Sequence, residues 1–437
     1  MYNSNWGYQN GKVRNSRVRK TFEPVTVLRY RYAPSANFES NTIFLWRTGF
    51  NGYTALDWYD ASDPRPDYYR NLPSYSFANS TEGDDQSARY DYSYDDLSKK
   101  GQLMYEAWTE RSSDYLMYQH LNWDRLYNVN YNSANGRSKY AQEQRHVDQN
   151  DINLVENIKW RINDYSVLSG GVNFKYNRTE YYKKIADLLG GEYFLNVDSF
   201  AERDFAINEA KIQNDLDYYI ANGFKSEKIT KGGKYGYDYF ANVIKANLWA
   251  GYNLQKDNWD IKVSGNVGYE SFYREGMMRK GLFAGTEDEV AQLNSKLPAT
   301  QQLKAVLDAD GNAVTSKGKS ETKHFLTGSA KAYLSRSFKG GHRVYANPGV
   351  FSDAPPFNEA FISPRPRNTI IGTLRNKFTY SADLNYQYSN KGYNVRFTAF
   401  YTKIKNQSDV MSFYEDSQSS FSNFAMTGID QQHLGID

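Results

Sequence analysis

The stretch 54–75, TALDWYDASDPRPDYYRNLPSY, gathers residue types that hold ligands. Asp57, Trp58, Tyr59, Asp67, Tyr68, Tyr69 and Arg70 fall within it. Aromatic faces stack on sugar rings or bases, while carboxylates and a guanidinium fix polar groups. These residues form the candidate ligand-binding set. The alternative is architectural: Trp58 and the Pro/Tyr run stiffen the loop or pack against its neighbours.

Catalytic chemistry finds no comparable foothold. The 5 histidines (His120, His146, His324, His342, His433) are scattered, with neither HExxH nor paired metal-ligand spacing. DADGN at 308–312 starts like a calcium loop but lacks the ligand at its far end, so it reads as a plain turn. No GxSxG, Walker or GxGxxG element stands between a strand and a helix. The expectation is a non-enzyme with no metal and no cofactor. The chain has 0 cysteines, which excludes a disulfide framework and thiolate chemistry. Its 53 basic and 50 acidic residues are interspersed without a basic stripe, which argues against a nucleic-acid partner.

The elements that must carry such a loop are strands. In 378–388, Phe378, Tyr380, Ala382, Leu384, Tyr386 and Tyr388 alternate with Thr379, Ser381, Asp383, Asn385 and Gln387. One face is therefore apolar and the other polar. The same alternation runs through 152–162, 168–176, 244–254, 261–270, 326–338 and 395–401, with Glu156 standing on the apolar side of the first. Phe400 stands on the polar side of the last without a reason in the pattern. Each segment has about the length that crosses a bilayer as a tilted strand.

Tight turns at 162–166, 255–259, 338–343 and 388–394 carry Asn, Asp and Gly. They alternate with long links at about 50–147, 183–235, 277–322 and 351–373, the signature of an up-and-down meander with its loops at one end. Within the loops, 205–223 shows near-helical spacing with Gly223 as a stop, and 97–130 has room for one or two short helices. FISPRPRN at 361–368 reads as the start of a strand, with Arg365 and Arg367 expected to pair with loop carboxylates.

What the apolar face touches has two answers. A soluble sandwich buries it between sheets; a transmembrane barrel turns it to lipid and lines its interior with the polar face. A mean hydropathy of −0.79 leaves little to fill a large core, and Lys175, Lys245, Lys262, Lys331 and Arg396 suit a hydrated interior. The strict short/long alternation favours the barrel. No apolar run reaches the roughly 18 residues of a spanning helix.

Four segments resemble, in order, the Bacteroidetes TonB-dependent outer-membrane receptors of the Oar-like type. They are 54–75, EYYKKIADLLGGEYFLNVDSFAERDF (180–205), GMMRKGLF (276–283) and VYANPGVFSDAPPFNEAFISPRPRN (344–368). The resemblance implies a barrel of about 22 strands in the outer membrane, facing lipid, that binds a nutrient at the cell surface. It also implies a lumen plug pulled by the TonB–ExbB–ExbD complex, and a surface lipoprotein as a further partner. With roughly 12 to 14 strands of spanning length in view, residues 1–437 read as one incomplete barrel domain. Neither plug, TonB box nor signal peptide is legible, and DQQHLGID lacks the usual terminal aromatic. The expectation is thus an internal receptor fragment that does not transport by itself. The rival reading is a secreted or surface-attached β-rich glycan-binding protein without a transport role.

Overall fold

The computed structural model describes residues 3–75, 93–110, 119–308, 310–415 and 420–437. It resolves into two compact units, the first made of 1–21, 51–146 and 182–236, the second of 22–50, 147–181 and 237–437.

β1 (Trp6–Gln9) and β2 (Lys12–Asn15) form a separate hairpin; β3 (Arg19–Phe22), β4 (Val25–Ser35) and β5 (Phe38–Trp58) begin the main sheet. β6 (Tyr140–Asn163) and β7 (Ser166–Asp187) come next, and the loop after them pairs β8 (Phe194–Leu195) with β9 (Lys228–Ile229). β10 (Lys234–Lys256), β11 (Trp259–Gly276), the short β12 (Gly318–Lys319) and β13 (Lys323–Phe338) continue the sheet. β14 (His342–Ala346), β15 (Gly349–Asp353), β16 (Lys377–Ser389), β17 (Asn394–Glu415) and β18 (Ser420–Ile436) complete it.

The main sheet has 14 strands in the order β18-β17-β16-β14-β13-β11-β10-β7-β6-β5-β3. β4 prolongs β3 alongside β5, and β15 prolongs β14 between β13 and β16. Sequence neighbours are thus spatial neighbours, and the expected meander is present. Between β14 and β15 only Pro348 interrupts the ladder, since proline has no N–H to give. Asn347 still donates to the Asp383 carbonyl (3.1 Å), and the Pro348 carbonyl accepts from Ala332 (2.9 Å).

The tight turns fall where expected. Asp257 adopts φ 54° between the paired Lys256 and Trp259. Gly340 and Gly341, both at φ 84°, close β13 on β14, a conformation glycine adopts without steric cost. The hairpin of β4 and β5 lies ahead of the strands the alternation located, and β17 and β18 run beyond them.

Within the second unit the two faces separate cleanly. Leu248, Val267, Leu326, Leu384 and Phe397, all on the alternation's apolar side, are exposed. A contiguous apolar band of this extent is foreign to a soluble monomer and suited to lipid. Glu156 keeps its place on that side, where it accepts hydrogen bonds from Ser40 and Thr42, each at 2.5 Å. Tyr269 meets His324 (2.6 Å) at one end of the band, and Tyr386 meets His342 (2.7 Å) at the other. On the polar face, Lys175 pairs with Asp151 (3.1 Å) and Lys245 with Glu270 (2.8 Å). Phe400 lies over Gly435, its register partner on β18, where a Cβ would sit 2.5 Å from the ring. The aromatic ring covers the ladder that glycine leaves bare.

Two expectations about loops change. The 205–223 segment is not one helix: Asp198 caps a helix over Ser199–Phe205 and Asp215 caps another over Leu216–Ala221, with Ile207 95% exposed between them. Side-chain caps at two separate aspartates break the apparent period. Gly223 does end the second helix, at φ 66°. The 97–130 segment holds helices Lys99–Glu110 and Trp123–Tyr131, its residues 111–118 lying outside those described. FISPRPRN is a turn tied by the bridge Phe361↔Ile370, and the next strand, β16, starts only at Lys377.

Candidate functional site

In the first unit the loop-side ends of β5, β6, β7 and β10 carry a row of charges. Lys183 Nζ lies 2.7 Å from Asp57 and 3.1 Å from Glu143, and the Tyr235 hydroxyl donates to Asp57 (2.7 Å). Arg145 supplies the second cation, 2.5 Å from Glu143. Burial alone would push Asp57 up, but the Lys183 charge and its hydrogen bonds outweigh that and hold it below its usual range. Burial likewise opposes charge on Lys183, yet Asp57 and Glu143 hold it above the ordinary lysine value. Burial, then the two carboxylates, push Tyr235 well up.

Asp57 therefore sits in an ion-pair network rather than at an open rim. Tyr59 is buried with Ile185, Phe194 and Tyr235; its hydroxyl donates to Glu202, and the Arg137 guanidinium lies 3.9 Å above its ring. Trp58 packs with Leu56 against the cluster of Leu121, Trp123 and Leu126. The outer part of the loop is different. Tyr68 and Tyr69 meet edge to face at 4.8 Å, Tyr69 and Tyr75 at 5.3 Å, and Arg70 lies over Tyr69 at 5.4 Å. Arg70 and Asp67 are exposed, Asp67 accepting from Ser4 (2.7 Å). Burial pushes the Tyr68 phenol up to about 12. Asp67 to Arg70 thus form a surface group, and Asp57 to Tyr59 an anchoring group; the two share no hydrogen bond or ring contact among the described residues.

Arg14 organises the same unit and stands outside the candidate set. It bonds Gln142 (2.9 Å), Asp187 (2.7 Å) and Tyr127 (3.0 Å) and stacks on Trp123 at 4.1 Å. No local motif marks it, because its partners come from three distant segments.

In the second unit the polar face carries a cavity of about 480 Å³ lined by Lys262, Lys331, Tyr333, Asn347 and Asp383. Beside it lies one of about 520 Å³ lined by Tyr345, Asn385, Arg396 and Thr398. The apolar face carries a groove of about 800 Å³ lined by Ala250, Val263, Ala330, Ala332, Val350 and Ala382, whose walls suit acyl chains. No cluster of three metal-ligating side chains exists among the described residues. Asp308 accepts from the backbone N–H groups of Asp310 (3.0 Å) and Asn312 (2.8 Å) as an Asx turn does, Ala309 lying outside the described residues. The histidines do not converge: His120 stacks near Trp6, His146 on Tyr182, and the other described pairs are the two at the ends of the apolar band.

Alternating faces, a chain-order antiparallel meander, short turns and long loops define an all-β fold of the outer-membrane barrel type. One solved structure agrees in fold. The copper transporter OprC matches with a TM-score of 0.50 at 10% identity, over 97% of this chain and 45% of that one. The ferric-catecholate import receptor Fiu of E. coli K12 matches at 0.46 and 10% identity, over 96% and 45%. A Pseudomonas aeruginosa FadL homologue matches at 0.33 and 8% identity, over 96% and 67%. The chain spans about 45% of the length of the first two. No family model and no curated protein matches it.

Proposed function

We propose that the chain is part of an outer-membrane active-transport receptor that captures a nutrient at the cell surface and imports it with TonB-derived energy. The observation that carries the reading is the division of one sheet into an exposed apolar face and an ion-paired polar face. Such a sheet is stable where lipid meets one side and water the other, and in a barrel of this fold passage along the polar side is the natural use. The Bacteroidetes Oar-like resemblance adds energy coupling through TonB–ExbB–ExbD and a plug, with a surface lipoprotein as a further partner. In this reading Asp67, Tyr68, Tyr69 and Arg70 contact ligand, and Asp57, Trp58 and Tyr59 anchor the strand end that presents them.

The test is outer-membrane fractionation of the protein as cells make it, with heat-dependent gel migration. Recovery in the soluble fraction without detergent would overturn the reading in favour of a secreted binding protein. Two neighbouring residues sharpen it. Leu248→Arg, on the apolar face, should cost about 2–4 kcal/mol of folding stability in a bilayer if it lies near the midplane, whereas Asn247→Arg, one residue away on the polar face, should change little.

A further inference from the structure

At the loop-side end of β11, Arg274 grips the turn that carries Arg365 and Arg367, and among the described residues no carboxylate pairs with any of the three. Arg274 on β11 is almost fully buried and directs its donors to uncharged oxygens: the Pro364 carbonyl (2.6 Å), the Ser316 carbonyl (2.9 Å), the Arg365 carbonyl (3.4 Å) and the Asn368 amide. Burial lowers it to about 10. By gripping three points of the turn 364–368, it fixes the conformation in which Arg365 and Arg367 are held out. Pro364 and Pro366 restrict the same turn, and Asn368 pins its far end through Thr315, by its N–H (2.7 Å) and its side-chain amide (2.9 Å).

Each presented arginine rests on an aromatic ring: Arg365 over Tyr237 at 5.1 Å and Arg367 over Phe283 at 5.5 Å. Arg274 itself lies over Tyr239 at 4.9 Å. Among the described residues neither Arg365 nor Arg367 forms an ion pair, against the sequence expectation that they would meet loop carboxylates. Arg367 is half-buried, so its charge is partly stripped of water with no anion in return, and burial lowers its pKa. The carboxylates on the same strand ends are otherwise placed. Glu275 pairs with Arg178 (3.3 Å), and Asp238 points to the opposite face of β10 from Tyr237 and Tyr239.

A guanidinium offers a planar fork that matches two oxygens of a carboxylate or phosphate. We infer that Arg365 and Arg367, held by Arg274 and backed by Tyr237 and Phe283, form a binding site for a multiply charged oxyanion. Tyr239 and Arg274 share the polar face with Lys245 and Glu270, so the site lies on the water side of the sheet. The inference rests on the import reading and deepens it: the captured nutrient carries carboxylate or phosphate groups.

The experiment is titration calorimetry of the whole protein, extracted from outer membranes into detergent, with pyrophosphate and with citrate at low ionic strength. Saturable binding of either is expected, and the one bound more tightly assigns the ligand to phosphate or carboxylate chemistry. The double variant Arg365→Gln/Arg367→Gln should weaken that binding at least tenfold, while Lys339→Gln, in the turn between β13 and β14, should leave it unchanged. Failure of the wild type to bind either anion, equal binding by the double variant, or equal weakening by Lys339→Gln would each overturn the inference. The import reading has its own readout: protein that fractionates with the outer membrane but ignores anions sinks the site alone, and soluble protein sinks the importer.

Discussion

Lys183 in the first unit and Arg367 in the second are both cations drawn away from water, yet their surroundings are opposite. Lys183 has two carboxylates within 3.1 Å and a tyrosine completing the set; Arg367 has an aromatic ring and, among the described residues, no acid. Desolvating a charge costs several kcal/mol unless a partner compensates. The first arrangement is compensated from within and serves to hold strands together. The second leaves its compensation to something that arrives, which is how a structural cluster and a receptive one are told apart.

The largest expected effect that would break this contrast is Lys183→Met. It orphans Asp57 and leaves Glu143 with Arg145 as its remaining cation, and should destabilise the first unit by about 3–5 kcal/mol, read as earlier proteolysis within 182–236 on heating or in denaturant. Adding Asp57→Asn should recover part of the loss, because the orphaned charge is gone. Arg274→Met should cost less, about 1–3 kcal/mol, since it strands carbonyl acceptors but no opposite charge. Equal costs at the two sites would erase the distinction.

Acid sharpens it next. The folded Asp57 lies below the unfolded value of about 3.9, so its contribution is fully present above that value and is lost as pH falls through the lower folded one. Lys183 lies above about 10.4 when folded, so its share is present below that value and is lost as pH rises beyond it. Proteolysis of the first unit should therefore accelerate below about pH 4, while the turn at 364–368, lacking acids of its own, should not respond there. The smallest effect is on stability in Arg365→Gln/Arg367→Gln, expected within about 0.5 kcal/mol. A loss above about 2 kcal/mol, the size typical of a defect in a packed core, would make these arginines structural.

The alternation of Phe378, Leu384 and Phe397 with Asp383, Asn385 and Arg396 carried the meander and its faces, because a strand's period of two is a local property. Residues 25–46 hold the same kind of signal in Leu28, Tyr30, Phe44 and Trp46, which share one face by register, but Pro24 and Pro34 and the apolar Val25 and Val27 on the other face obscure it. The site was legible only in composition. Asp57 and Asp67 are close in the chain and alike in type, and their surroundings diverge because Lys183 and Tyr235 reach Asp57 from strands well over a hundred residues away. Likewise the promise of acids near Arg365 failed because pairing depends on which loops converge, not on how many carboxylates they carry. Glu156 illustrates the converse: its apparent misfit in one strand is met by hydroxyls on another.

If the proposed import reading holds, the two histidine–tyrosine pairs would gauge the membrane the protein fits. His324 starts the lipid-facing side of β13, and His342 is the register partner of Phe338 at the strand's other end. At about 3.3 Å per residue the strand between them runs on the order of 46 Å, and a tilt near 40° projects that to about 35 Å along the bilayer normal. In the proposed membrane setting that height lies between the hydrocarbon core of about 30 Å and the full bilayer of about 40–45 Å, so both imidazoles would sit at headgroup depth, one in each leaflet. A bilayer much thinner or thicker would drag one pair into hydrocarbon or into bulk water, so the pairs tie the protein's vertical position to lipid thickness.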